Sequence, residues 1–396
     1  MVLTAVVLAY CAAVHALAQT LAADNAGLAH RLAPHDGHVT ALYAASRAEG
    51  EAGPFDRLQA DAAARLALRQ DPISVVALST LGIDASVRGD TSGALRLFGH
   101  AGSLSRRDLQ TQLWTIQYAV SRGDVSAAVG AYDITLRSFP PTSKLLFPVL
   151  ASASAEPAIH AALVRTLAGA PPWGNDFIFY LSGSASGPRA AAALFIDLHR
   201  AGYPVSEQAR AQAINGLISH GDLDLAWSYY ASERPGVDRE RSRDPRFGAG
   251  PGTPSALDWT PASDNGVSTS IQKGVVDFAA PPSVGGPLLE QMQLLPPGDY
   301  RLVGRSRAVD QADNSLPYWA LTCRNGAEIG RVVVPKSAKA SGVFAGGFTV
   351  PPGCPAQVLI LMAQPSDAVS GLTGQLLEVR LAPARARATA LRRQPA

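Results

Sequence analysis

Residues 1–23 contain no acidic or basic side chain apart from His15; the first carboxylate is Asp24. Val2 to Leu21 is apolar apart from Thr4, His15, Gln19 and Thr20. About 20 such residues suffice to cross a bilayer as a helix. Three readings follow. The length favours a retained anchor. Ala16-Leu17-Ala18 has the small-x-small form of a signal-peptidase site, so a cleaved signal is the second, although no Lys or Arg precedes the run. A buried core helix is the third, but such a helix seldom begins without capping residues. Arg31 is the nearest basic residue, so charge orients the segment weakly. The expectation is a single-pass segment in the cytoplasmic membrane.

Cysteine usage indicates the compartment. Cys11 lies in the apolar run as a small apolar side chain, whereas Cys323 and Cys354 stand 31 residues apart beside strand-like segments. That spacing is no metal or redox pattern, and the pair is expected to form a disulfide, with two unrelated buried thiols as the alternative. A disulfide requires an oxidising surrounding, so the bulk of the chain is expected in the periplasm or extracellular space.

Residues 24–232 are rich in Ala, Leu and Arg, with apolar residues three and four apart. Three segments match one another: Arg88-Gly89-Asp90 before Ala94, Arg122-Gly123-Asp124 before Ala128, and His220-Gly221-Asp222 before Ala226. Each precedes an aromatic: Phe98, Tyr132 and Tyr230. Gly can end one helix in the left-handed conformation and Asp can cap the next. The Ala admits a close helix approach, and the aromatic fills the groove. Asp71-Pro72 reads as a further helix start. Gly89 and Gly123 are 34 residues apart, while Gly123 and Gly221 are 98 apart, short of three such periods. The region resembles a degenerate tetratricopeptide-type α-solenoid, best over 72–138. Pro140-Pro141, Pro148, Pro157 and Pro171-Pro172 interrupt its second half. The resemblance implies a protein partner on a concave surface and does not imply enzymatic activity. Helix pairs are predicted at 72–88 with 91–103 and 106–121 with 125–138. Trp114 and Tyr118 share a helix face, as solenoid core or as candidates for the groove. His30, His35 and His38 with Asp36 could bind metal in principle, but Pro34 and Gly37 break any shared face, so a solvated turn is expected.

From Glu233 the composition shifts to Arg, Asp, Gly and Pro, and residues 233–241 read as a linker. Residues 242–382 have strand-like periodicity. Strands are predicted at 268–272, 274–279, 288–294, 298–308, 319–323, 331–334, 342–350, 357–362 and 374–381, separated by turn signals such as Pro296-Pro297-Gly298. This is the pattern of an antiparallel β-sandwich. The fold class is therefore multidomain, α plus β: an N-terminal transmembrane helix, an α-solenoid and a C-terminal jelly roll.

Arg243-Asp244-Pro245-Arg246-Phe247, Leu257-Asp258-Trp259, Leu295 to Leu302 and Gly374 to Leu381 together resemble carbohydrate-binding jelly-roll modules of the galactose-binding-like class, over about 140 residues. The resemblance implies glycan binding through exposed aromatics, for which Trp259, Tyr318 and Trp319 are the candidates, with core packing as the competing role. Tyr300 is expected in the core. The structural calcium of many such modules is not carried over, because Gly248 and Leu377 stand where its acidic ligands would be.

The tail, 383–396, carries Arg385, Arg387, Arg392 and Arg393 without apolar pattern, and is expected to be a solvated, disordered end. Contact with an anionic polysaccharide or lipid is open to it. No His follows His220, which excludes a Ser–His–Asp arrangement inside the β domain. Ala185 occupies the serine position of a G-x-S-x-G pattern, and no Walker lysine follows a Gly run. The net charge of +2 gives no support to nucleic-acid binding. Neither catalysis, a cofactor nor a metal is expected. The function expected is a membrane-anchored extracytoplasmic scaffold, with exopolysaccharide or envelope assembly as its setting by analogy. A purely structural protein–protein adaptor is the alternative, and a divergent glycan-active enzyme using paired carboxylates a more distant one.

Overall fold

A computed structural model describes residues 2–50, 53–184, 187–250, 252–262, 266–339, 341–367 and 369–384. All but the first two residues of the tail lie outside this set. Internal contacts divide the chain into two units, residues 1–174 and 175–396. The division falls within the helical region, and the last helices group with the sandwich.

The first unit holds α1 (Val2–Leu21), α2 (Ala26–Leu32), α3 (Gly37–Ala48), α4 (Pro54–Gln70), α5 (Val75–Val87), α6 (Thr91–Leu104), α7 (Leu109–Ser121), α8 (Val125–Ser138), α9 (Ser143–Ala153) and α10 (Pro157–Ala168). Among the described residues α1 is the one helix long and apolar enough to cross a membrane. Leu3, Val6, Val7, Leu8 and Tyr10 on it are exposed. Its last turn is tied down: Ala18 and Ala22 are buried, and Gln19 Nε2 donates to Asp36 Oδ2 at 2.8 Å.

Helix α5 packs on α6 and α7 on α8, as the repeat reading expects. Gly89 and Gly123 have φ of 78° and 68°, the left-handed conformation that lets a helix stop without a Cβ clash. The following amides close back over the turn, Asp90 N to Ala85 O and Asp124 N to Ala119 O, both 2.9 Å. The aspartates then cap the next helices, Asp90 accepting from Gly93 N and Asp124 from Ala127 N. Ala94 and Phe98 are buried, and a Cβ on Gly82 of α5 would lie 2.9 Å from the Phe98 ring. The pair is therefore built on a close approach that only glycine permits. Asp71-Pro72 is not a helix start. Asp71 ends α4 and its side chain accepts from Ile73 N, which makes a turn, and α5 begins after Ser74.

The second unit contains α11 (Gly174–Gly183), α12 (Pro188–Arg200), α13 (Glu207–Ser219), α14 (Leu223–Glu233) and ten strands. The strands are β1 (Thr260–Pro261), β2 (Ser268–Gln272), β3 (Val275–Ala280), β4 (Gly286–Gln293), β5 (Gly298–Arg307), β6 (Tyr318–Cys323), β7 (Glu328–Val333), β8 (Gly342–Val350), β9 (Gln357–Ala363) and β10 (Leu372–Pro383). They form two antiparallel five-stranded sheets, ordered β1-β4-β9-β6-β7 and β2-β3-β10-β5-β8. All but β1 coincide with a predicted strand. Inward residues of the two sheets, among them Leu302, Trp319, Leu321, Leu359, Leu361, Val379 and Leu381, make one core. The sandwich closes on its own entry: Ser242 N donates to Leu381 O, and Leu381 N donates to Ser242 Oγ, both at 2.9 Å.

The third Gly-Asp turn lies in this unit. Gly221 has φ of 83°, but Asp222 makes no side-chain cap and pairs with Arg189 instead. Helices α13 and α14 are fixed to the sandwich by Arg324 Nη1 donating to Ile218 O at 2.7 Å and by Tyr230 OH donating to Asp258 Oδ1 at 2.9 Å. Arg243 is buried at this junction. Its guanidinium donates to Leu257 O, Met292 O and Gln293 Oε1, and lies 6.0 Å from the centre of the Tyr230 ring. Burial pulls its pKa down to about 10, and burial raises that of Tyr230.

Candidate functional site on the sandwich

Strand β6 decides which aromatics are available. Side chains alternate along a strand, and Trp319, Leu321 and Cys323 point inward while Tyr318 and Thr322 are part-exposed. Trp319 is 0 % exposed. Trp259 is 5 % exposed, donates Nε1 to Asp244 O at 3.0 Å and packs against Phe247 and Trp319. Trp259 and Trp319 therefore take the competing core role, and of the three candidates Tyr318 is the part-exposed one. Counting back in steps of two from the buried Cys323 places Trp319 inside, a signal already present in the sequence. Cys323 and Cys354 are disulfide-bonded, their Cα atoms 5.6 Å apart.

Tyr318 lies on the outer face of the β4-β9-β6-β7 layer. Opposite it in register are Met362 of β9 and Val333 of β7. The outer residues of β9, Val358, Ile360 and Met362, are half-buried and apolar, so this strand is apolar on both faces. A sheet with one solvated face normally alternates with polar residues. The result is an apolar shelf with a charged rim. Arg331 lies 4.5 Å from the centre of the Tyr318 ring and is held by Glu328 through contacts of 2.6 and 2.9 Å. That hydrogen bond lowers the pKa of Glu328.

A cleft of about 540 Å³ opens between α13, α14 and the sandwich entry, lined by Arg210, Glu233, Arg234, Asp258, Trp259 and Gln291 among others. Of its carboxylates, Glu207, Glu233, Asp244 and Asp258, the last three are engaged. Glu233 accepts from Arg210 at 2.6 Å, and Asp258 accepts from Tyr230 and from Ser255 N and Oγ. Asp244, also on the lining, accepts from Gly248 N and Ala249 N.

In the helical unit, Trp114 and Tyr118 are half-buried and form part of a stack. Phe98 and Trp114 are 4.5 Å apart, Trp114 and Tyr118 5.0 Å apart and nearly parallel, and Arg122 lies over Tyr118. Trp114 Nε1 donates to Ser86 Oγ. Among the described residues no group of His, Cys, Asp and Glu is arranged to hold a metal. His30 stacks on Tyr43, and Asp36 caps α3.

No family model matches the chain, and no curated protein matches it. Solved structures similar to it include the enzymatically active domain of tailspike protein 4 of bacteriophage CBA120, at 13% identity and TM-score 0.25, covering 37% of this chain and 21% of that one. The chain thus spans about a fifth of that domain. A CBM4 structure is similar at 16% identity and TM-score 0.26, over 32% of this chain and 88% of that one. The CBM22-1 xylan-binding domain of Xyn10C from Paenibacillus barcinonensis is similar at 13% identity and TM-score 0.24, over 36% of this chain and 93% of that one.

Proposed function

We propose that this chain is a non-catalytic scaffold held at a membrane by α1, with its helical repeats docking a protein segment and its β-sandwich taking a glycan in an oxidising compartment. The glycan reading rests on one observation: Tyr318 stands on an apolar shelf of β9 residues beside the Glu328–Arg331 pair. A pyranose ring has the complementary two-sided chemistry, C–H groups for an apolar or aromatic surface and hydroxyls for planar charged groups. The non-catalytic reading is supported by Glu233, Asp244 and Asp258 of the cleft, which are committed to hydrogen bonds within the protein. The disulfide supports the oxidising compartment. Exopolysaccharide or envelope assembly is the setting this combination fits.

A second reading, a protein–protein adaptor without glycan binding, draws on the burial of Trp259 and Trp319. The full oxidised chain in detergent micelles, titrated against neutral and acidic polysaccharides by calorimetry, separates the two. Saturable binding that Tyr318→Ala weakens at least tenfold, with unchanged thermal unfolding, supports the glycan platform. Binding indifferent to Tyr318, or none across the panel, removes that platform and leaves the adaptor.

A further inference from the structure

The other sheet carries a different surface. Strand β5 alternates strictly, and its outward residues include Arg301, Arg305 and Arg307. Arg380 joins them on the outer side of β10, opposite Val303. On the flanking strand β8 the cross-strand neighbours of Arg301 and Val303 are Gly347 and Ala345, side chains too small to cover a guanidinium. Three acids share the face. Glu378 serves both Arg305 and Arg380, Asp277 accepts from Gln375, and Asp299 accepts from Thr349. Arg307 donates only to the neutral Gln375, and Arg301 has no ion-pair partner among the described residues. Ala384 N donates to Asp299 O at the Arg301 end of the sheet. The face thus sets four arginines against three carboxylates, and two of the arginines, Arg301 and Arg307, pair with no carboxylate among the described residues.

Beside the arginines is a depression of about 450 Å³ over β2, β3 and β10, lined by Ser268, Ser270, Asp277, Thr373 and Gln375 among others. These are hydroxyl, carboxylate and amide groups at the scale of sugar hydroxyls. We propose that the outer face of the β2-β3-β10-β5-β8 sheet binds an acidic polysaccharide, the recessed polar groups taking ring hydroxyls and the arginine row taking carboxylates or sulfates. Guanidinium groups bind such oxyanions in a two-pronged geometry. A lipid headgroup plane would meet only the outermost charges and leave the recessed groups unused. This surface is separate from the Tyr318 platform, on the opposite sheet, and stands or falls independently of it.

The test uses the full chain in phosphatidylcholine nanodiscs. The probes are polygalacturonate, alginate, dextran sulfate, carboxyl-reduced polygalacturonate and phosphatidylglycerol vesicles. At least one acidic polymer is expected to bind, more weakly as salt rises, and the carboxyl-reduced polymer at least tenfold more weakly than its parent. The combined Arg301→Gln, Arg305→Gln, Arg307→Gln variant and the depression-filling Ser270→Tyr are each expected to lose at least tenfold affinity for the acidic polymer, while Tyr318→Ala retains it. Thermal unfolding verifies that each variant is folded. Failure of all acidic polymers to bind, equal affinity for parent and reduced polymers, or binding unaffected by both face variants overturns the proposal. So does arginine-dependent capture of the vesicles without binding of any polymer, which would assign the face to lipid. Loss of acidic-polymer binding in Tyr318→Ala alone would move the polymer to the opposite sheet and also overturn it.

Discussion

Trp259 meets Trp319 edge-on inside the sandwich, ring centroids 5.7 Å apart and planes inclined at 61°. One ring comes from the loop before β1 and the other from β6, so this contact joins the entry of the domain to the middle of a sheet. Trp319→Ala is expected to cost about 3–5 kcal/mol, the usual range for emptying a buried aromatic site. Chemical denaturation would show it as a lower midpoint. Glycan affinity lost in this variant would report unfolding, whereas Tyr318→Ala reports the surface.

Gly82→Leu is expected to destabilise the helical unit by about 1–3 kcal/mol, as overpacking does. The new Cβ alone would lie 2.9 Å from the Phe98 ring, which would have to move. Circular dichroism during thermal unfolding checks this. A variant as stable as the parent would mean that the α5–α6 pair does not rely on close contact there.

Arg243→Ala leaves Leu257 O, Met292 O and Gln293 Oε1 without their common donor in a buried site. Each unmatched buried acceptor costs about 1–3 kcal/mol. The expected result is lower stability together with faster amide exchange in α14 and at the end of β4. Loss confined to one of these segments would argue against a junction role.

Reduction of the Cys323–Cys354 bond is expected to lower sandwich stability by about 3 kcal/mol on loop entropy. Alkylation mass spectrometry should find Cys11 reactive in the oxidised, denatured protein and all three thiols reactive after reduction. Two alkylated thiols at 323 and 354 without reductant would contradict the pairing.

The Asp90 carboxyl is held below its usual pKa by the Gly93 N–H and then by the Ser92 hydroxyl, and that of Asp222 by Arg189. A carboxylate with a depressed folded-state pKa contributes stability above its unfolded value of about 3.9 and loses it as pH falls through the folded value. Thermal midpoints should therefore decline below about pH 4. In Asp90→Asn, which keeps a capping oxygen but does not titrate, the decline should be shallower. A curve identical to the parent's would show that Asp90 contributes nothing to the acid transition.

Nine strands and two helix pairs could be read from the chain because local rules set them: alternation on β5, Pro-Pro-Gly turns, Gly-Asp helix junctions. Residues whose role depends on distant partners could not. Arg243 sits in a densely charged run, Asp238 to Arg246, where composition argues for solvent; its acceptors come from loops and a strand up to 50 positions away. The grouping of α11 to α14 with the sandwich likewise rests on contacts such as Arg324 to Ile218, 106 positions apart. Trp319 is ambiguous in sequence because the predicted strand begins at it, whereas β6 begins at Tyr318. β1 carries no sequence signal because two residues containing a proline give no periodicity.

The two hydrogen bonds between Ser242 and Leu381 place the entrance and exit of the sandwich side by side. A module with adjoining ends can be spliced into a surface loop of an unrelated carrier without separating the carrier's own ends. The same arrangement governs its mechanical response. Tension applied across the two ends falls first on this short zipper and on the neighbouring Val379 N to Pro245 O bond. The entry segment would peel away before either sheet is sheared, and the rest of the sandwich would be shielded from load.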